Sequence, residues 1–122
     1  AGVKYFNRTK NEKNYQFHLV FSFPNAVIKQ QLELFAFLNL GVVNSLFTGV
    51  LSVSDAIQKF YHAENCLYTK DHFQNELADR IMSHGVQLPD IFDALPPYEA
   101  QREYFHELET IKSLCLNLID SV

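Results

Sequence analysis

Between Leu32 and Phe60 nearly every third or fourth residue is apolar, and the run closes on Gly49-Val50-Leu51-Ser52-Val53-Ser54-Asp55-Ala56. Apolar residues at that spacing belong on a helix. The predicted helix starts at Ala26, with Asn25 as its N-cap behind Pro24, and runs to about Thr48, where Gly49 stops it. Val27, Ile28, Leu32, Leu34, Phe35, Phe37, Leu38, Leu40, Val42, Val43, Leu46 and Phe47 cover most of its circumference. A helix apolar all round is expected to sit centrally, surrounded by others. Gly41 inside it costs about 1 kcal/mol against Ala, and close approach of a neighbouring helix is the expected return. This stretch carries architecture and no chemistry: it holds no nucleophile, metal cluster or phosphate loop.

The flanking segments sort by the same signals. Tyr15, Phe17, Leu19, Phe21 and Phe23 alternate strictly, which reads as a strand. Val3–Phe6 is its one candidate partner, and an isolated hairpin needs something larger to pack on. A first helical turn running into Pro24 is the competing reading. Residues 1–14 otherwise read as a loose basic arm. After Gly49, Ser52 and Asp55 mark the start of a short helix to about Tyr61. Residues 62–69 have no clear period, and Thr69 is placed to cap a helix burying Phe73, Leu77, Ile81 and Met82. Gly85 is expected to end that helix, with Val86 making the hydrophobic contact past its end. Leu88-Pro89-Asp90 begins a brief helix to Ala94. Pro96-Pro97 begins the last one, whose seam is Tyr104, Leu108, Ile111, Cys115, Leu118 and Val122. The expected fold is one mainly α-helical domain over residues 1–122, with four to five bundled helices and room for a short N-terminal β-hairpin.

Composition narrows the class. Of the 122 residues 48% are apolar, which suits a globular chain and not a disordered one. The net charge of -4 is uneven: residues 1–13 carry +3, the rest -7. The C-terminal third holds Asp90, Asp93, Glu99, Glu103, Glu107, Glu109 and Asp120 against Arg102 and Lys112. Such a surface repels phosphate backbones and suits a basic protein partner, so direct nucleic-acid binding is not expected. Cys66 and Cys115 are too few for a disulfide scaffold and read as buried thiols in a reducing compartment. The polar, basic start does not read as a signal peptide. Leu32–Leu51 is long enough to cross a bilayer, but Glu33, Asn39, Asn44, Ser45 and Thr48 argue against it.

Reaction chemistry finds little support. His62, Cys66 and His72 do not have the spacing of a tight zinc-ligand pair, and no fourth ligand is evident. Glu103-Tyr104-Phe105-His106 is a single Glu-x-x-His unit where di-iron bundles use two. Cys115 falls on a packing seam, and His106 with Glu103 or Glu109 lies on a solvated helix face. The reading is therefore no enzyme, no metal and no cofactor. The acidic set Asp90, Asp93, Glu99, Glu103 and Glu107, with Tyr98 as an aromatic anchor beside it, is the candidate partner-binding surface.

The stretch Phe37-Leu38-Asn39-Leu40-Gly41-Val42-Val43-Asn44-Ser45-Leu46, followed by Gly49 to Ala56, resembles a family of small helical bacterial proteins of unassigned function. So does His84-Gly85-Val86-Gln87-Leu88-Pro89-Asp90-Ile91, with its following proline and terminal helix. The likeness spans roughly residues 32–120. Proteins of this kind look like immunity proteins of contact-dependent growth inhibition. The resemblance implies a cytoplasmic binding protein that neutralises a cognate toxin, the expected target being a nuclease with a basic cleft. A homo-oligomeric adaptor whose apolar surplus forms a dimer face is the alternative.

Overall fold

The computed structural model describes the backbone of residues 3–7 and all of residues 17–23 and 27–122. Residues 8–14 of the basic arm, Tyr15 and the Pro24-Asn25 pair lie outside the described residues. Two strands come first, β1 (Val3–Asn7) and β2 (Phe17–Phe21). They pair antiparallel, with Val3 opposite Phe21 and Asn7 opposite Phe17. The strand reading of the aromatic segment therefore holds, and Val3–Asn7 is a strand instead of loose arm. Among the described residues six α-helices follow: α1 (Ile28–Phe47), α2 (Val53–Lys59), α3 (Ala63–Tyr68), α4 (Glu76–Val86), α5 (Leu88–Ala94) and α6 (Pro97–Ser121). A π-helical turn, Thr69–Phe73, joins α3 to α4. The chain is mainly α, as its periodicity requires.

Five of the six helices fall where the apolar spacing puts them. The addition is α3, in the segment without a period. It forms because its ends are held by side chains: His62 accepts the Asn65 N–H at the start, and Thr69 donates its hydroxyl to Asn65 O at the end. Thr69 thus closes a helix instead of opening the next one. The N-cap of α4 is Asn75, which accepts the Ala78 N–H at 3.0 Å. Ser52 caps α2 by accepting the Asp55 N–H, and Gly49 follows α1 with φ +78°, the left-handed stop expected of it. The residue preceding α1 is Val27, which makes no side-chain cap.

The longest helix, α6, is the spine. It packs along α1, α4 and α5, and its seam Tyr104, Leu108, Ile111, Cys115 and Leu118 is buried. α1 is not surrounded. It buries Gln31, Leu32, Phe35, Ala36, Asn39, Val43 and Leu46, while Leu34 and Phe37 remain exposed. With α6 as the spine, α1 lies at the side of the molecule and needs only one covered stripe. Gly41 faces open space instead of a helix. The close approach occurs at Gly85, which lies inside α4 and is buried against the Tyr61 ring. Gly85 is therefore a packing residue, α4 continues through Val86, and Val86 is exposed instead of folding back.

β2 docks on α2 and α3. Its burial does not follow its alternation: His18, Val20 and Phe21 are buried and Phe17 and Leu19 half-buried. Phe21 meets Phe35 and Phe60 edge-on, with ring centroids 5.8 and 5.2 Å away. Phe23 and Phe35 reach Phe73. This aromatic cluster supplies the larger surface that a two-stranded unit needs. Among the described residues no helix is long and apolar enough to cross a membrane.

Candidate functional site

The acidic residues of α5 and α6 do not form one continuous face. α5 is short and sits between α2 and α6, so its two aspartates point to different neighbours. Asp90 joins Glu103 and Glu107 on the walls of a groove of about 340 Å³, completed by Gln87, Ile91, Ala94 and Leu95. Asp93 lines a separate hollow of about 420 Å³ with Val53, Ile57, Gln58 and Phe92. Tyr98 and Glu99 stand exposed on the first turn of α6, Tyr98 at 80%. Glu103 and Glu107 share a face because they are four residues apart on one helix.

Glu107 has a second role. Its carboxylate meets His84 Nδ1, so it bridges α6 to α4 while forming part of the groove wall. Both side chains are partly buried there. Asp90 and Glu103 are exposed and make no such bridge. The groove thus presents two solvent-facing carboxylates and one anchored carboxylate over an apolar floor of Ile91, Ala94 and Leu95. Tyr104 beside it belongs to the core, and its hydroxyl pKa is raised by burial.

Of the two thiols read as buried, Cys115 is, and Cys66 is only half-buried. Cys115 is fully buried on the α6 seam, and burial pushes its pKa up to about 12. Cys66 is half-buried and is shifted upward for the same reason. A thiol held protonated is a poor nucleophile. His106 stands exposed on α6.

The histidines pair differently from the combination weighed above. His72 turns to Gln31 Oε1 at 2.6 Å and stacks on Tyr68, so it does not join His62 and Cys66. His62 instead stacks on His18, with ring centroids 3.8 Å apart and planes 23° from parallel. Glu64 lies beside them, its Oε1 3.6 Å from His18 Nε2. One ligand atom from each of His18, His62 and Glu64 lies within 4.8 Å of the other two. Spacing along the chain could not reveal this group. His18 and His62 are far apart in sequence and meet only because β2 docks against α3. The one available signal was His18 itself, a polar residue in an aromatic strand.

Compared with known protein families, curated proteins and solved structures, the chain finds no match.

Proposed function

We propose that this chain is a non-enzymatic binding protein, and that the α5–α6 groove receives a basic side chain of a protein partner. The supporting observation is the convergence of Asp90, Glu103 and Glu107 on one groove with an apolar floor. A lysine or arginine fits that combination, because its stem packs on apolar surface while its head pairs with carboxylates. Tyr98, exposed on the first turn of α6, is the type of aromatic residue that anchors interfaces, but it does not line the groove and lies on another side of the helix from Glu103 and Glu107. Charge steering speeds such an encounter, and the buried anchor slows dissociation. The biological reading is an immunity protein of the bacterial cytoplasm, whose partner is a toxin domain with a basic nucleic-acid cleft. That reading rests on the acidic groove and on the resemblance of residues 32–120 to small helical bacterial proteins noted from the sequence.

Charge reversal tests it. In cells poisoned by a candidate toxin domain taken from an adjacent gene, co-expression of this chain should restore growth, and Asp90→Lys with Glu103→Lys should abolish that rescue. Both positions are exposed, so the melting temperature should stay nearly constant. Retained rescue, with unchanged salt dependence of binding, would remove the groove from the interface.

A second reading has its own observation. Val27, Leu34 and Phe37 are exposed on and just before α1, spaced so that they share one side of it. A homodimer adaptor would cover them. Sedimentation velocity over a concentration series separates the two, since the adaptor dimerises without any toxin and Phe37→Glu disperses the dimer.

A further inference from the structure

We propose that His18, His62 and Glu64 form a binding site for a divalent transition-metal ion of the zinc type, which staples β2 to α3. The tautomers are fixed by what each ring touches. His18 Nδ1 lies 3.2 Å from Gln58 O, and His62 Nε2 lies 2.6 Å from Leu19 O. A carbonyl oxygen only accepts, so each of those nitrogens carries the proton and donates it. In the neutral rings the lone pairs then fall on His18 Nε2 and His62 Nδ1. A metal-ligating histidine characteristically donates its other ring N–H to a carbonyl, which orients the ring and raises its basicity. Both histidines already have that arrangement.

The third donor supports the same conclusion. Glu64 Oε1 faces His18 Nε2 at 3.6 Å. A lone pair and a carboxylate facing one another require a proton or a cation between them. The donor set of two imidazoles and one carboxylate suits zinc and leaves a fourth position for water. His18 is buried and Glu64 exposed, so the ligands run from the core to the surface and leave a route of entry. Binding draws the donors together to roughly 3.3 Å, as bonds near 2.0–2.1 Å in a tetrahedron require. The two rings also leave their face-to-face stack, because an ion lying in the plane of both imidazoles needs their centroids about 5 Å apart instead of 3.8 Å, and Glu64, the exposed member, closes in from the surface. The Asn65 N–H contact to His62 Nδ1 is long, 3.4 Å, and yields to the ion. The start of α3 keeps its other bond, from the Cys66 N–H to His62 O.

Three measurements on the tag-free chain decide it. Zinc titrated calorimetrically into chelator-treated protein should bind one ion per chain with a Kd in the micromolar range or tighter. Glu64→Gln, a surface change that leaves folding intact, should weaken that binding by at least about tenfold, whereas His106→Ala should leave it unchanged. Long-range ¹H–¹⁵N spectra of the unaltered chain should show His18 Nε2 and His62 Nδ1 shifting on zinc addition, without comparable shifts at His72, His84 or His106. This keeps the test independent of whether any His18 variant folds. The proposal falls if zinc does not bind, if Glu64→Gln binds it equally well, or if His18 Nε2 keeps a proton in the presence of zinc. The last result would leave a simple His18–Glu64 ion pair.

Discussion

Gly41 and Gly85 both lie in helices, yet a methyl group has opposite consequences at the two. At Gly41 it meets nothing and removes only the flexibility of glycine. Gly41→Ala should raise stability by about 1 kcal/mol. At Gly85 a Cβ runs into Cγ, Cδ1 and Cε1 of Tyr61. That ring is fully buried, and its hydroxyl donates to Asn39 Oδ1 at 3.0 Å, so it cannot swing aside without losing the bond. Overpacking of this sort costs about 1–3 kcal/mol. The propensity gain of about 1 kcal/mol offsets part of it, so Gly85→Ala should still destabilise. Urea unfolding of the two variants should move the midpoint in opposite directions at constant slope. The sequence marks both positions as unusual and assigns them the wrong way round. Local pattern reports that a helix contains glycine, but not which neighbour arrives beside it.

At the scale of elements, Asn65 ties the backbone of β2 to the helices, alongside the His62 bond to Leu19 O and the His18 bond to Gln58 O. Asn65 accepts the Phe21 N–H with Oδ1, and its amide donates to Leu19 O and Phe60 O. It is fully buried, and its own carbonyl receives the Thr69 hydroxyl. The strand's backbone, the end of α2 and the end of α3 therefore meet on one residue. Asn65→Leu would keep the branched shape in a somewhat larger side chain and orphan the Phe21 N–H and Phe60 O. Each unsatisfied buried group costs about 1–3 kcal/mol, so a loss of about 3 kcal/mol is expected. Amide exchange at Phe21 should accelerate before the rest of the molecule opens, because Asn65 Oδ1 is the acceptor that protects that N–H. An unchanged Phe21 exchange rate would show that the aromatic cluster alone holds the strand. Asn65 lies in the segment without a period, so no pattern in the sequence singles it out.

At the scale of the whole molecule, the core carries an alkaline liability. Burial, reinforced by the neighbouring thiols, raises the Tyr61 hydroxyl pKa well above its usual value. The Cys115 thiol goes from 9.0 to about 12. In the unfolded chain Cys115 ionises near pH 9, while in the folded chain it keeps its proton to about 12. The unfolded state therefore holds fewer protons across that window, and stability falls as pH rises through it. The sign follows from linkage, and each such group contributes about 1.4 kcal/mol per pH unit. Below pH 9 the full stabilisation is present. Cys115→Ala leaves a cavity and lowers stability at every pH, but its stability-against-pH slope from 9 to 12 should be shallower by about one proton. Equal slopes in the two proteins would mean that the thiol is reached by solvent.

The sequence by itself left Phe17–Phe21 open between strand and helical turn, and it determined the helices with a period, the α6 seam and the acidity of the C-terminal third. These depend on neighbours three or four residues away, so the order of residues contains them. The tertiary structure decided which acids share a groove, which glycine is a contact, and that His18 lies against His62 and Glu64. It also decided that α1 shows one face to solvent. Each of these depends on groups brought together from distant parts of the chain, and their meeting follows from how the elements pack against α6.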